Sequence, residues 1–188
     1  MKNKRVISGV LLALILGALS TGATTLKRMN LDDLTQAAQT VARVKCISNE
    51  MRWDGGQIWT LTTFEVLELI KGNVPRQITV RLIGGKVGHL FERVEGVPRF
   101  TSGEEVYLFL EWHQMGDLTV TSWVQGTFRL RRDVSTLQEA VTQDTGAVTI
   151  FDPTTRRFRP GGVRNMPVEK FRQHVREAVD RQRTANQP

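Results

Sequence analysis

The run Gly84-Gly85-Lys86-Val87-Gly88, continued by Val97-Pro98-Arg99-Phe100 and then by Glu105-Val106-Tyr107-Leu108-Phe109-Leu110, is the centre of a region, residues 57–112, that decides the fold. This region reads as three strands with a long, folded-back connection between the second and third. Residues 57–70 are too rich in Thr, Ile, Phe and Val for a comfortable helix. Ile58, Phe64 and Val66 share one side of that strand while Leu67 and Leu69 share the other, so a bulge near residues 65–68 is expected. Lys71-Gly72-Asn73-Val74-Pro75 breaks the run. Ile78, Val80 and Leu82 then alternate with Thr79 and Arg81, the pattern of a strand with one wet face. Residues 105–112 are apolar on both faces, Val106, Leu108 and Leu110 against Tyr107 and Phe109, and call for cover on both sides. The glycine-rich connection is punctuated by Leu90, Phe91, Val94 and Phe100, which predicts a packed loop rather than a floppy one.

Outward from this region, Asn30 and the first-turn Asp32 and Asp33 predict a short helix over 31–38. Ala42, Val44 and Cys46 alternate with Arg43 and Lys45 in a strand over 40–48, and Trp53-Asp54-Gly55-Gly56 is a hairpin signal. Met115-Gly116-Asp117 marks a second hairpin turn. Leu118, Val120, Val124, Phe128 and Leu130 belong to one further strand, with a bend at Gly126. Residues 137–143 are ambiguous and compatible with a helical turn, and 147–151 suggest a sixth short strand. Beyond an Arg/Pro/Gly linker at 152–166, Pro167 opens an amphipathic helix over 167–183, with Val168, Phe171, Val175 and Val179 on the face that packs on the rest. The expected architecture is mainly β: a small, partly open antiparallel barrel of five to six strands over 31–151 with a helix at either end.

The N-terminus reads as a secretory signal peptide over 1–23. Lys2, Lys4 and Arg5 precede an apolar run from Val6 to Leu19 and small residues at the cleavage site. The run is short against the ~20 residues of a membrane span, so the expectation is an exported protein, periplasmic or extracellular, with no stable transmembrane span after cleavage. Those three cations are part of the 26 basic residues; without them 23 face 19 acidic ones, and the formal charge falls from +7 to +4. The remainder is concentrated in Arg129, Arg131, Arg132, Arg156, Arg157, Arg159 and Arg164, a candidate polyanion-binding cluster. Cys46 is the one cysteine, which excludes an intramolecular disulfide and fits a buried small hydrophobe.

The early Val-Ala-Arg-Val strand, the hairpin, the long strand ending at Lys71-Gly72 and the later Gly103-Glu104-Glu105-Val106-Tyr107 strand resemble netrin-like modules and the N-terminal domains of tissue inhibitors of metalloproteinases, which are OB-fold barrels. A group of exported bacterial proteins without assigned function is more similar still. Its pattern is matched by Lys71-Gly72, Gly84-Gly85-Lys86-Val87-Gly88, Pro98-Arg99-Phe100, Gly103-Glu104 and Gln125-Gly126-Thr127-Phe128. The resemblance implies an OB-like barrel. The inhibitors chelate zinc with a mature N-terminal cysteine held by disulfides, which this chain lacks, so their mechanism is not implied.

Catalytic and cofactor signals are sparse. His89, His113 and His174 stand alone on different segments, against the converging ligands that a metal needs. No Gly-x-Ser-x-Gly elbow presents a nucleophile. Glu104 and Glu105 are strand neighbours that point to opposite faces and read as a solvated pair. The Gly84 to Gly88 glycines lack the phosphate-loop pattern and serve a sharp turn instead. Trp53, Trp59, Trp112 and Trp123 raise an oligonucleotide option, against which export argues; Trp59 and Trp123 suit cross-strand packing. The expected function is therefore a non-enzymatic exported binding module without cofactor. It would engage a protein or cell-envelope component, not nucleic acid, through residues 84–100 and the adjacent barrel face, with Lys86, His89, Phe91, Arg93 and Arg99 as contacts. A polyanion or membrane-surface binder using the late arginines is the alternative, and a hydrolase assembled only in the fold is the third.

Overall fold

The computed structural model describes residues 26–113, 116–132 and 138–185; the signal-peptide reading and part of the Met115 turn lie outside them. Leucine and its neighbours at Leu26–Lys27 (β1) lead into a one-turn-and-more helix, Leu31–Ala37 (α1). The Asp33 N–H donates to Asn30 Oδ1 at 2.8 Å and the Asn30 N–H to Asp33 Oδ2 at 3.0 Å, a reciprocal cap that starts the helix where the sequence predicts. At its other end the Lys71 ammonium donates to the carbonyls of Thr35 and Ala38, both at 2.6 Å, and to Gln182 Oε1 at 2.8 Å. One cation thus supplies the donors that the helix C-terminus leaves wanting.

The main sheet is built on Thr40–Asp54 (β2), Gln57–Lys71 (β3), Gln77–Ile83 (β4), Glu105–Trp112 (β7) and Leu118–Val120 (β8). β2 is longer than the sequence suggests, because its polar far half pairs with the start of β3 as an extended hairpin arm. The pairing skips a residue of β3 between Arg43↔Glu68 and Val44↔Val66, which places a bulge at Leu67, inside the expected stretch. It also shifts at Ile47 in β2, and Leu67 and Leu69 are left exposed. β7 pairs with β2 on one edge, and on the other with β8 through Leu110↔Val120; β8 meets β4 in parallel at Val80↔Leu118. Strand pairing therefore runs from β7 through β2, β3, β4 and β8 and returns to β7.

The expected single strand over 118–130 is corrected to two. After β8 the chain turns through a 3-10 helix, Trp123–Gly126, and resumes as Thr127–Arg132 (β9), which takes the same edge of β7 further back, with Tyr107 opposite Phe128. The break is enforced at Gly126, where any Cβ would collide with the Thr121 carbonyl. Residues 139–143 form a strand, Glu139–Gln143 (β10), not a helical turn, because Val141 is drawn into the core opposite Leu130. Ile150–Asp152 (β11) is the short late strand. The linker reading of 152–166 is corrected in part, since Arg157–Arg159 (β12) pairs back on β11. The sheet ends at Met166–Pro167 (β13), from which Val168–Ala185 (α2) departs. Gly85–Val87 (β5) and Leu90–Glu92 (β6) form a separate hairpin inside the 84–100 connection.

Two cores result, one on each face of β7. Val106, Leu108 and Leu110 join Ala42, Val44, Cys46, Phe64, Val80, Phe100 and Leu118 inside the circuit of strands. Tyr107 and Phe109 join Leu34, Val41, Phe128, Phe171 and Val175 beneath the two helices. The strand that looked apolar on both faces is covered on both.

Candidate functional site

The 84–100 connection is held to the sheet at its base. Gly84 and Gly85, at φ 93° and 143°, take backbone conformations that side chains resist. The Gly84 N–H donates to the Ile58 carbonyl at 2.7 Å, and the Ile58 N–H donates to the Glu92 carboxylate at 3.0 Å. The β5–β6 hairpin is thereby carried on β3 as a braced projection. Lys86, His89, Phe91, Arg93 and Arg99 are all exposed on it or beside it. Phe91 is 61% exposed, with the Arg99 guanidinium 5.4 Å from its ring centre and the Arg99 Nη2 donating to the Glu92 carbonyl. Arg93 faces Glu95 at 3.2 Å.

The late arginines are divided. Arg129 is committed, its guanidinium bound by Glu104 and by Asp144 at 2.6 Å and donating to the Arg99 carbonyl at 3.0 Å. Burial works against its charge, but the two carboxylates hold its pKa above the ordinary value. Arg131 and Arg132 are exposed on β9, whereas Arg156, Arg157 and Arg159 are exposed on or beside β12 in a different sheet. Glu104 and Glu105 do point apart, yet neither is merely solvated: Glu104 pairs with Arg129, and Glu105 with Arg43 at 2.7 Å.

A feature that the strand pattern did not announce is a cleft of about 310 Å³ on the outer side of β3, β4, β7 and β8. Alternation puts Trp59, Arg81 and Ile83 on that side, and the core residues Leu82 and Val120 also border it. Glu111, His113, Asp117 and Thr119 come from the β7–β8 hairpin, and Ser122 and Trp123 from the turn after it. Arg81 lies at the centre. Its guanidinium sits 4.1 Å from the Trp59 ring centre, donates to Asp117 Oδ2 at 2.8 Å and to Asp54 Oδ2 at 2.9 Å, and is largely buried. It thus ties the tip of the β2–β3 arm to the β7–β8 hairpin. Its Nε–H is buried with no acceptor among the described residues, a deficit of about 1–3 kcal/mol.

The floor of the cleft is strained. Ser122 and Trp123 have φ of 51° and 54° in succession, a left-handed conformation that costs L-residues about 1–2 kcal/mol each. The Trp123 ring lies against Gly96, where an added Cβ would stand 3.4 Å from the indole, and the Val124 N–H donates to the Gly96 carbonyl at 3.0 Å. The cleft is therefore in contact with the far end of the 84–100 connection. Trp59 packs across strands as expected, beside Ile83 and under Arg81, and it also walls this cleft, whereas Trp123 does so from the turn after β8. Burial raises the pKa of Glu111, moderated by nearby His113. Among the described residues no hydrogen bond joins His113 to Ser122 or Thr119, and no group of three or more His, Cys, Asp or Glu is arranged to hold a metal. No described helix is long and apolar enough to cross a membrane.

Cys46 is buried, and burial raises its thiol pKa; its Sγ faces the Asn49 amide at 3.8 Å. His174 lies apart from the cleft on α2, 2.9 Å from Asp32. No protein-family model matches the chain, and no curated protein matches it.

Proposed function

We propose that the protein is an exported, non-enzymatic binding module in which β2, β3, β4, β8 and β7 form a small OB-like barrel. The connection over residues 84–100 and the adjacent barrel face engage a protein or cell-envelope partner. The observation that carries this is the braced display of Phe91: a large aromatic ring, mostly exposed, on a hairpin anchored to β3 from both sides. An exposed aromatic backed by an arginine is the kind of anchor on which interface energy concentrates. The return of strand pairing from β8 to β7 supports the barrel reading, and the basic and apolar start of the chain supports export.

Affinity capture on immobilised protein tests the module. The expected result is one stoichiometric, salt-resistant partner that is lost when Phe91→Ala and Arg99→Ala are combined. A partner retained by that variant removes the role of the connection. Retention of acidic material alone, released by salt, favours the late arginines instead. Arg129 contributes little to that alternative, since its charge is already matched by two carboxylates.

A further inference from the structure

The cleft around Arg81 is separate in chemistry from the Phe91 hairpin, and its composition selects a ligand class. Arg81 is its one guanidinium, set against Asp54, Asp117 and Glu111, so these four groups leave a formal −2 when ionised with His113 neutral, and −1 when His113 is protonated. That is an acidic spot on a chain of net charge +7, and phosphates, nucleic acids and other anions are disfavoured there. A cation is poorly served as well, because the Trp59 face that would receive it already carries Arg81. What the walls leave open is the Trp123 indole, with acceptor-only carboxylates, a donor-only guanidinium and the hydroxyl-bearing Thr119 and Ser122.

We infer that this cleft is a binding site for a neutral sugar. A sugar hydroxyl both donates and accepts, so one ring can donate to Asp117 or Glu111 and accept from Thr119 or the rim of the Arg81 fork. The C–H face of the ring packs on indole, whose π face is negative. The cavity lies at the small end of the ~300–1,000 Å³ range of ligand pockets, which suits a short saccharide segment. The unpartnered Arg81 Nε–H and the paired left-handed residues at Ser122 and Trp123 are costs that packing alone does not ask for, and such costs gather at ligand sites. Phe91 is not among the residues that line this cleft, although Trp123 touches the far end of the same connection at Gly96.

The test is calorimetric titration of the whole protein, with tryptophan fluorescence alongside, using chitotriose, cellotriose and maltotriose as neutral probes, spermidine as a cation and tripolyphosphate as an anion. At least one neutral trisaccharide is expected to bind saturably and to perturb the fluorescence. Asp117→Asn is expected to weaken that binding several-fold, and Trp123→Ala by about tenfold or more, while Phe91→Ala leaves it unchanged. Should Trp123→Ala fail to fold, Thr119→Tyr, which fills the cleft from a half-buried position, is expected to abolish binding in a folded protein. The inference is overturned if none of the neutral probes binds at ~10 mM, if only spermidine or tripolyphosphate binds, or if the trisaccharide affinity is indifferent to Asp117→Asn and Thr119→Tyr.

Discussion

The two ends of β7 make opposite uses of one strand face, the one that carries Tyr107, Phe109 and Glu111. Beneath the helices, Tyr107, Phe109, Phe128 and Phe171 cluster with neighbouring ring centres 4.9 to 6.3 Å apart. The Tyr107 hydroxyl donates to Glu68, whose other oxygen accepts from Arg172 at 2.6 Å and Arg176 at 3.1 Å. Rings are buried there and polar tips are paired. At the far end of the same strand, Glu111 faces a cleft with an orphaned Arg81 donor and two left-handed residues in its floor. Stability was built at the first end, and the second carries features that cost stability and so answer to another requirement.

Substitutions can break or sharpen this contrast. The largest effect is expected from Phe171→Ala, which empties the centre of the helix-covered side and should cost about 3–5 kcal/mol in denaturant unfolding. If it costs under about 1 kcal/mol, that side is not the stabilising one. Gly126→Ala, which forces a methyl group into the Thr121 carbonyl, should cost about 1–3 kcal/mol and separate β8 from β9.

Alkaline pH probes the helix-covered side without mutation. Burial, followed by the Glu68 carboxylate, pushes the Tyr107 pKa up to about 12, above the ~10 of an unfolded tyrosine. A raised pKa means that the neutral form is favoured in the fold. Its contribution is complete below about pH 10 and is lost as pH climbs through about 12. Tyr107 is the chain's single tyrosine, so tyrosinate absorbance reports it alone. The rise should come near pH 12, or with unfolding if that occurs first, and a midpoint near 10 in the folded protein would contradict the burial. The smallest effect has the opposite sign. Ser122→Gly relieves left-handed strain on the cleft side and should stabilise by about 1 kcal/mol; a loss of stability there would show that the Ser122 side chain outweighs its backbone.

The alternation of Val106, Leu108 and Leu110 with Tyr107 and Phe109, the cap at Asn30, the breaks at Lys71-Gly72 and the helical spacing from Val168 to Val179 are local patterns. Such patterns depend on the fixed periods of strand and helix, so the chain by itself determines a mainly β protein with a helix at each end. The place of the 84–100 connection, a glycine-rich stretch between two strands, was legible for the same reason, but Leu90 and Phe91, expected as packing groups of that loop, are exposed on the β5–β6 hairpin. The split of 118–130 was not, because it depends on a contact between Gly126 and the Thr121 carbonyl that only the folded turn creates. The cleft was less legible still. Asp54, Trp59, Arg81, Glu111, Asp117 and Trp123 are spread over about seventy residues, and each alone reads as a turn residue, a packing residue or a wet strand face. Strand register brings Trp59 beside Ile83 and Glu111 beside Thr119, and the parallel contact of β8 with β4 draws the two pairs together. Local periodicity says which way a side chain points; only the tertiary pairing decides what it points at.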